Sequence, residues 1–428
     1  MKSLILCCFR EHTNPFITTM KKEFYLKHHS HHIKAIFTVL KDIFEKNDYA
    51  DKAIEKVMRA NKYWDVKERS FVSDVSYDMI RNWRLLVVAS GIENKLTEKT
   101  LWTIFGTYLI FDGYNLPPST YFKGLSEKKV ISQLEKFYKI RKIRESVPDW
   151  LDVLGEKELG KDWDKVIRAL NQPPTVVLRA NSLKTNPKEL QKILEEEKIT
   201  DVSLIAWSPD AVELKFSRNV FRTEAFHKGL FEVQDASSQM VSEFLNVQPG
   251  MRVIDGCAGA GGKTLHLAAL MKNKGRIIAL DVKDKKLQEL KKRAARADVR
   301  IVETRTIDSS KVVKRLKGTA DRLLLDVPCS GLGVLRRNPD SKWKLNMEEI
   351  ERVKKIQREI LISFPEMTKV GGKMVYATCS ILPSEGEEQV KWFLEQAGSK
   401  WNLIGEKRYS PDVHHADGFY MALLERVN

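Results

Sequence analysis

One stretch limits the possible folds more than any other. Met251-Arg252-Val253-Ile254-Asp255 has the apolar, β-branched character of a strand, and it runs without a spacer into Gly256-Cys257-Ala258-Gly259-Ala260-Gly261-Gly262-Lys263-Thr264, after which a helix follows. A second apolar run, Arg276-Ile277-Ile278-Ala279-Leu280, ends in Asp281 and precedes a Lys-rich helix. Further strands end at Asp326 and at Thr378. Strands that alternate with helices and finish in acids predict a doubly wound, mostly parallel α/β sheet over 246–428. Such sheets bind ligands beyond the carboxyl ends of their strands.

A chain of 428 residues exceeds one typical core, so further domains are expected before this one. Ile33, Ile36, Phe37, Leu40, Ile43 and Phe44 follow helical spacing, and 25–146 is predicted to be all helix. Within it, Ser126 to Arg144 carries Lys and Arg around Val130, Leu134, Phe137 and Ile140, which suits either a solvated face or an RNA contact. Ser146-Val147-Pro148 interrupts the helices and marks a linker. A small α/β module is predicted within 147–245. Its parts are a strand at Val176-Val177-Leu178-Arg179, a helix from Pro187 to Glu197 and an alternating strand from Ala211 to Phe216.

Residues 1–24 are expected to form a disordered leader. The apolar start Met1 to Phe9 meets Arg10, Glu11 and His12 at once and has no small-residue cleavage site, and Met20 suits the role of initiator. His28-His29-Ser30-His31-His32 fits a mobile polar leader better than a metal site, because no thiol is near, and no metal is expected. No apolar stretch approaches membrane-spanning length. The formal charge of +16 favours a polyanionic partner. About half of that excess falls in the first 150 residues, which hints at a binding module there.

The glycine loop lets the backbone turn sharply and approach a ligand that side chains would block. Gly262-Lys263-Thr264 matches the end of a phosphate-binding loop, but Gly256 comes one place too early to open it, and Gly-x-Gly-x-x-Gly is absent. Asp281 suits hydrogen bonding to a ribose diol. Loop and acid together fit S-adenosylmethionine better than a dinucleotide, and leave both open.

The cysteines are Cys7, Cys8, Cys257, Cys329 and Cys379, an odd and sparse set that is no disulfide framework and lacks zinc-ligand spacing. Asp326-Val327-Pro328-Cys329-Ser330-Gly331 follows one strand and Thr378-Cys379-Ser380 another. Either thiol alone would be better read as structural. Two thiols at strand tips beside an acid and a cofactor loop suit a particular chemistry. Carbon 5 of cytosine is a poor nucleophile until a thiolate adds at carbon 6, and an acid near N3 must neutralise the charge that builds on the ring.

From Val233 onward the chain resembles the Sun-type RNA cytosine-5 methyltransferases, most closely their RsmB-type branch. The resemblance rests on Val233-Gln234-Asp235-Ala236-Ser237, the Cys257 to Lys263 loop, Asp326-Val327-Pro328-Cys329-Ser330-Gly331, Arg336-Arg337-Asn338-Pro339-Asp340, Lys342-Trp343, Tyr376-Ala377-Thr378-Cys379-Ser380 and Asp417-Gly418-Phe419. It implies a Rossmann-like class I methyltransferase domain, a small RNA-binding α/β module before it, and an N-terminal NusB-like helical domain that binds RNA. It also implies Cys379 as nucleophile, Cys329 as the thiol of product release and Asp326 as the acid that engages the cytosine. Cys257, Ala258, Gly259, Ala260, Gly261, Gly262, Lys263, Asp281, Asp308 and Asp326 would form the adenosylmethionine pocket. The implied partner is small-subunit ribosomal RNA, and the implied setting is a cytoplasmic monomer. Two departures stand out: Gly259 and Ala260 replace the family's Ala-Pro, and Ile307-Asp308 replaces its Gly-Asp.

Two other methyltransferase types fit less well. A DNA cytosine methyltransferase would carry a Glu-Asn-Val triplet, which is missing, and an amino-group methyltransferase would want Asn/Asp-Pro-Pro-Tyr/Phe where Pro328-Cys329 stands. An RNA-binding assembly factor with vestigial chemistry is the alternative from a different class.

Overall fold

The apolar runs of the C-terminal half are buried on both faces, as central parallel strands are. In the computed structural model, which describes residues 23–24, 26–92, 95–215 and 219–428, the strands are β1 (Val176–Ala180), β2 (Val202–Leu204), β3 (Ala211–Leu214), β4 (Phe231–Val233), β5 (Arg252–Asp255), β6 (Arg276–Asp281), β7 (Val302–Thr306), β8 (Ala320–Asp326), β9 (Thr368–Thr378), β10 (Trp401–Tyr409) and β11 (Phe419–Arg426). Seven of them form one sheet in the order β10-β11-β9-β8-β5-β6-β7. β5, β6, β7, β8 and β9 are parallel, and β11 runs against both of its neighbours.

Alternate residues of these strands feed two separate cores. Val253, Ile277, Ala279, Leu324, Val375 and Ala377 face one, while Ile254, Ile278, Leu280, Leu323, Leu325 and Tyr376 face the other. That period of two fixes the register, because a slip of one residue would exchange the faces. From β5 the chain winds outward through β6 and β7, then returns to place β8 and β9 on the other side. The reversal leaves a crevice at the tips of β5 and β8.

The small module is an antiparallel sheet in the order β2-β3-β1-β4 with the helix Pro187–Glu196 packed on it. Asn186 caps that helix by accepting the Glu189 N–H, and Pro187 takes its first position, where a missing N–H costs nothing. The expected strand at Ala211 ends at Leu214, and Phe216 lies outside the described residues. Side-chain contacts join this module and the helix that follows it (Ala236–Phe244) to the helix Gly262–Leu270. Buried Arg179 donates to the Gly262 carbonyl at 2.5 Å, and the His266 ring nitrogen meets Asp210 at 3.1 Å and Glu243 at 3.6 Å.

A separate helical unit comprises the described residues up to Val153 together with Asn338–Lys344. Ile33, Ile36, Phe37, Leu40 and Ile43 are buried in its core as the spacing predicts. Three expectations for this part of the chain need correcting. His28 to His32 is no mobile leader, since it lies in the helix Leu26–Phe44, where the rings of His29 and His32 pack near Phe71 and Trp64. Ser146-Val147 breaks the helices but is fully buried, with the Ser146 hydroxyl accepting the Leu85 N–H and the Val147 carbonyl accepting from Arg84. Asn338–Lys344, expected with the methyltransferase sheet, belongs to the helical unit. The reading of residues 1–22, with Cys7, Cys8 and Met20, lies outside the described residues.

Lys342 explains that last placement. Its side chain is almost wholly buried, and its Nζ donates to the carbonyls of Arg81 at 2.7 Å and Glu145 at 3.1 Å, while the Trp343 indole N–H donates to Ile80 O. Lys342→Ala should therefore destabilise the helical unit by about 2 kcal/mol or more, because two buried carbonyls lose their donor and the stem leaves a cavity. Denaturant unfolding would measure it, and a change within about 0.5 kcal/mol would contradict the anchoring role.

Candidate active site

The site is built from the tips of four parallel strands. After Asp255 of β5 the chain crosses to the helix Gly262–Leu270, and the crossing is tied to both neighbouring strands. The Gly256 N–H donates to Leu324 O of β8, and the Ala258 N–H to Leu280 O of β6, each at 2.8 Å. Gly259 and Gly261 have φ of +56° and +88°, in the left-handed region that favours glycine. A Cβ on Gly261 would lie 2.5 Å from Leu290, whereas one on Gly259 would meet nothing within 4 Å. Packing thus demands glycine at 261, while Gly259 borders open space.

Asp281, at the tip of β6, holds this loop. Its Oδ2 accepts the Gly259 N–H at 2.9 Å and its Oδ1 the Lys283 N–H at 2.8 Å, so each oxygen keeps a further acceptor site. Beneath the loop, buried Asp255 accepts the Thr264 hydroxyl at 2.7 Å, and burial pushes its pKa up to about 7. Lys263 reaches the neighbouring tip, where its Nζ lies 2.6 Å from Asp326 Oδ2 and 5.0 Å from the centroid of the Phe419 ring. Loop and acid are thereby coupled directly.

Cys329 and Cys379 follow the adjacent parallel strands β8 and β9, whose register sets Asp326 opposite Ala377. Their sulfurs are 3.3 Å apart. The hydrogen bond to Cys379 and burial both push the Cys329 thiol up, and either sulfur could be the donor in that contact. Cys257 is pushed up by burial and by the carboxylates of Asp255, Asp326 and Asp281, which suits a loop residue rather than a nucleophile.

Motif residues far apart in sequence meet behind this pair. The Gly333 N–H donates to the Cys379 carbonyl at 3.0 Å and the Gly418 N–H to Gly333 O at 2.8 Å. A Cβ on Gly333 would lie 2.1 Å from Gly418 O, so no side chain fits there. Arg337 joins Asp417 at 2.6 Å and Asp235 at 2.7 Å, drawing three motif segments into one buried ion cluster.

Asp308 stands apart. It is exposed past the tip of β7, where the Ser309 hydroxyl donates to it at 3.0 Å, and among the described residues no hydrogen bond ties it to the glycine loop. Sequence reasoning missed Glu385, a buried carboxylate that takes the hydroxyls of both Ser330 and Ser380. The available signal was the repeated Cys-Ser dipeptide at the two strand ends.

Sheet order, glycine loop and strand-tip acids define a class I methyltransferase domain. Residues 242–425 match the model of the 16S rRNA methyltransferase RsmB/F family, and residues 147–221 match the ferredoxin-like domain of the RsmF/B-like methyltransferases. The chain is 32% identical to the ribosomal RNA small subunit methyltransferase B of Shewanella oneidensis, over 65% of this chain and 67% of that one. It is 29% identical to the probable ribosomal RNA small subunit methyltransferase B of Synechocystis, over 91% and 98% respectively. The crystal structure of PH0851 superposes with a TM-score of 0.77 at 25% identity, covering 95% of this chain and all of that one. This chain belongs to the RsmB/F family of methyltransferases.

The two left-handed glycines should respond differently to alanine. Each substitution puts a Cβ in the left-handed region, at a cost of about 1–2 kcal/mol. Gly261→Ala also forces a clash with Leu290. Thermal unfolding should show a clearly larger loss for Gly261→Ala than for Gly259→Ala, and equal losses would mean that the helix carrying Leu290 yields freely.

Proposed function

We propose that this chain methylates carbon 5 of a cytosine in small-subunit ribosomal RNA, using S-adenosylmethionine, with Cys379 as nucleophile. The observation that carries the reading is the pair of thiols 3.3 Å apart at adjacent strand tips, beside the Lys263–Asp326 pair and the glycine loop. The Shewanella and Synechocystis relatives, named as ribosomal RNA small subunit methyltransferases, support the RNA substrate.

The residues present suit the cofactor. Asp281 keeps acceptor sites for a ribose diol, and the glycine at 259 leaves open space where a side chain would project. Cys257 through Lys263, Asp281 and Asp326 would hold it, with exposed Asp308 at the rim beyond β7, and once bound it supplies an electrophilic methyl group. Cys379 Sγ adds to carbon 6 of the ring, and Asp326 shares a proton with N3 as charge builds there. The bond pair released at carbon 6 makes carbon 5 the attacking atom. After transfer, a base takes the carbon 5 proton, the bond pair left behind re-forms the carbon 5–carbon 6 double bond, and Cys379 departs with the electrons of the broken carbon–sulfur bond. Cys329, which keeps its proton beside the departing sulfur, assists that release.

Residues 25–146 serve in this reading as the NusB-like RNA-binding domain, and 147–245 as linker and RNA-binding module. Exposed Lys128, Lys129, Lys136 and Lys139 on and beside one helix suit contact with phosphates. Among the described residues no helix is long and apolar enough to cross a membrane. A cytoplasmic monomer fits the sparse cysteines and the substrate.

The division of labour between the thiols gives the test. Cys379→Ala should abolish both methylation and any covalent RNA adduct. Cys329→Ala should permit attack and methyl transfer but slow elimination, so an adduct surviving denaturing electrophoresis should accumulate with substrate RNA and cofactor. An adduct trapped by Cys379→Ala and lost in Cys329→Ala would move the nucleophile to the Pro-Cys motif.

A further inference from the structure

The two cysteines are the same residue in similar places, and something must hold them at contact distance while making them unlike. Neither strand does this alone, because each thiol lies beyond its strand end, where the ladder no longer fixes the backbone. The residue after each cysteine is a serine, and both serines turn inward to one carboxylate. Glu385 accepts the Ser330 N–H at 2.8 Å, the Ser330 hydroxyl at 2.5 Å, the Ser380 hydroxyl at 2.5 Å and the Gln357 amide at 3.0 Å. Those four bonds use about the full acceptor capacity of a carboxylate. Each serine oxygen in turn accepts a backbone N–H of its own loop, from Leu332 and from Leu382, and Gln357 also donates to the carbonyl of Pro328.

We propose that Glu385 is a positioning residue that clamps the Cys329 and Cys379 loops together and sets the distance between the two sulfurs. Placing it costs free energy that a purely structural part would not need. Glu385 is wholly buried, and among the described residues no Lys, Arg or His forms an ion pair with it. A buried carboxylate held only by neutral donors is an expensive way to tie two loops, and an amide or a hydrophobic contact would serve structure alone. The hydrogen bond to Cys379 and burial are the larger causes that push the Cys329 thiol up, and the negative charge of Glu385 adds to them in the same direction, which an amide could not do. Ser330 lies between Glu385 and Cys329 in the chain, so reach and charge act on the same loop.

The proposal rests on the cysteine roles given above, but the first readout of its test needs neither RNA nor cofactor. The full chain would be pulsed with iodoacetamide across a pH range, and the rates at Cys329 and Cys379 read separately by peptide mass spectrometry. Glu385→Gln should move the Cys329 rate inflection to lower pH, because a carboxylate that opposes ionisation of that thiol is removed. The same variant should lose at least about tenfold in kcat for methyl transfer, with KM for adenosylmethionine unchanged. Ser380→Ala keeps the charge and removes the one described hydrogen bond from the Cys379 loop to the carboxylate. It should leave the Cys329 inflection in place and still lower kcat. If Glu385→Gln fails to fold, Ser380→Ala decides, and a wild-type kcat in it overturns the proposal. A folded Glu385→Gln with an unmoved inflection also overturns it, and leaves the methyltransferase reading standing. A moved inflection in a chain that methylates no RNA would uphold the clamp and defeat that reading.

Discussion

The parallel pairing of β8 with β9 is the constraint on which the site depends. Hydrogen bonds between these strands set Asp326 opposite Ala377, so the Pro-Cys and Thr-Cys loops must leave the sheet side by side. The cysteines lie some fifty positions apart, so the ladder must first bring the two loops side by side before Glu385 can tie them together. Burial on both faces makes that register hard to change. Leu323, Leu324 and Leu325 on one strand and Met374, Val375 and Tyr376 on the other alternate between two cores, and a slip would turn each side chain to the wrong face.

Around that register, charge is used sparingly and close to the chemistry. Lys263 carries a positive charge from the glycine loop to Asp326, which couples the segment that would hold the cofactor to the acid that would engage the base. Asp281 spends one acceptor site per oxygen on the loop and keeps others. Farther out, Arg337 with Asp235 and Asp417 builds a buried cluster that is fully structural in character, fastening the β11 approach to the segment after the Pro-Cys loop. In that cluster burial outweighs the arginine, and the Asp417 pKa rises to about 6.

The sequence made the centre of the sheet legible because buried parallel strands carry unbroken apolar runs, and strand-tip acids and thiols follow them directly. The edges were not legible for the same reason. β7 reads Val302-Glu303-Thr304-Arg305-Thr306 and is only half-buried throughout, while β10 leaves Leu403 and Ile404 exposed, so neither shows a clear period. Lys342 was misplaced because a lysine gives no local hint that carbonyls far earlier in the chain will surround its amine. The histidine run looked like a leader by composition, yet it is helical, with His29 packed near Phe71 and His32 near Trp64. Glu385 was invisible for a related reason. A glutamate is ordinarily exposed, and only the approach of two serines from separate loops makes its burial tolerable.

The central claim is that these strand tips direct a methyl group to carbon 5 of cytosine in RNA. It is tested most directly by incubating the chain with unmodified small-subunit ribosomal RNA and methyl-labelled adenosylmethionine, digesting to nucleosides and identifying the labelled species by mass spectrometry. The account predicts label in 5-methylcytidine alone. Label in any other nucleoside, or none in RNA under conditions where the chain binds both substrates, would contradict it.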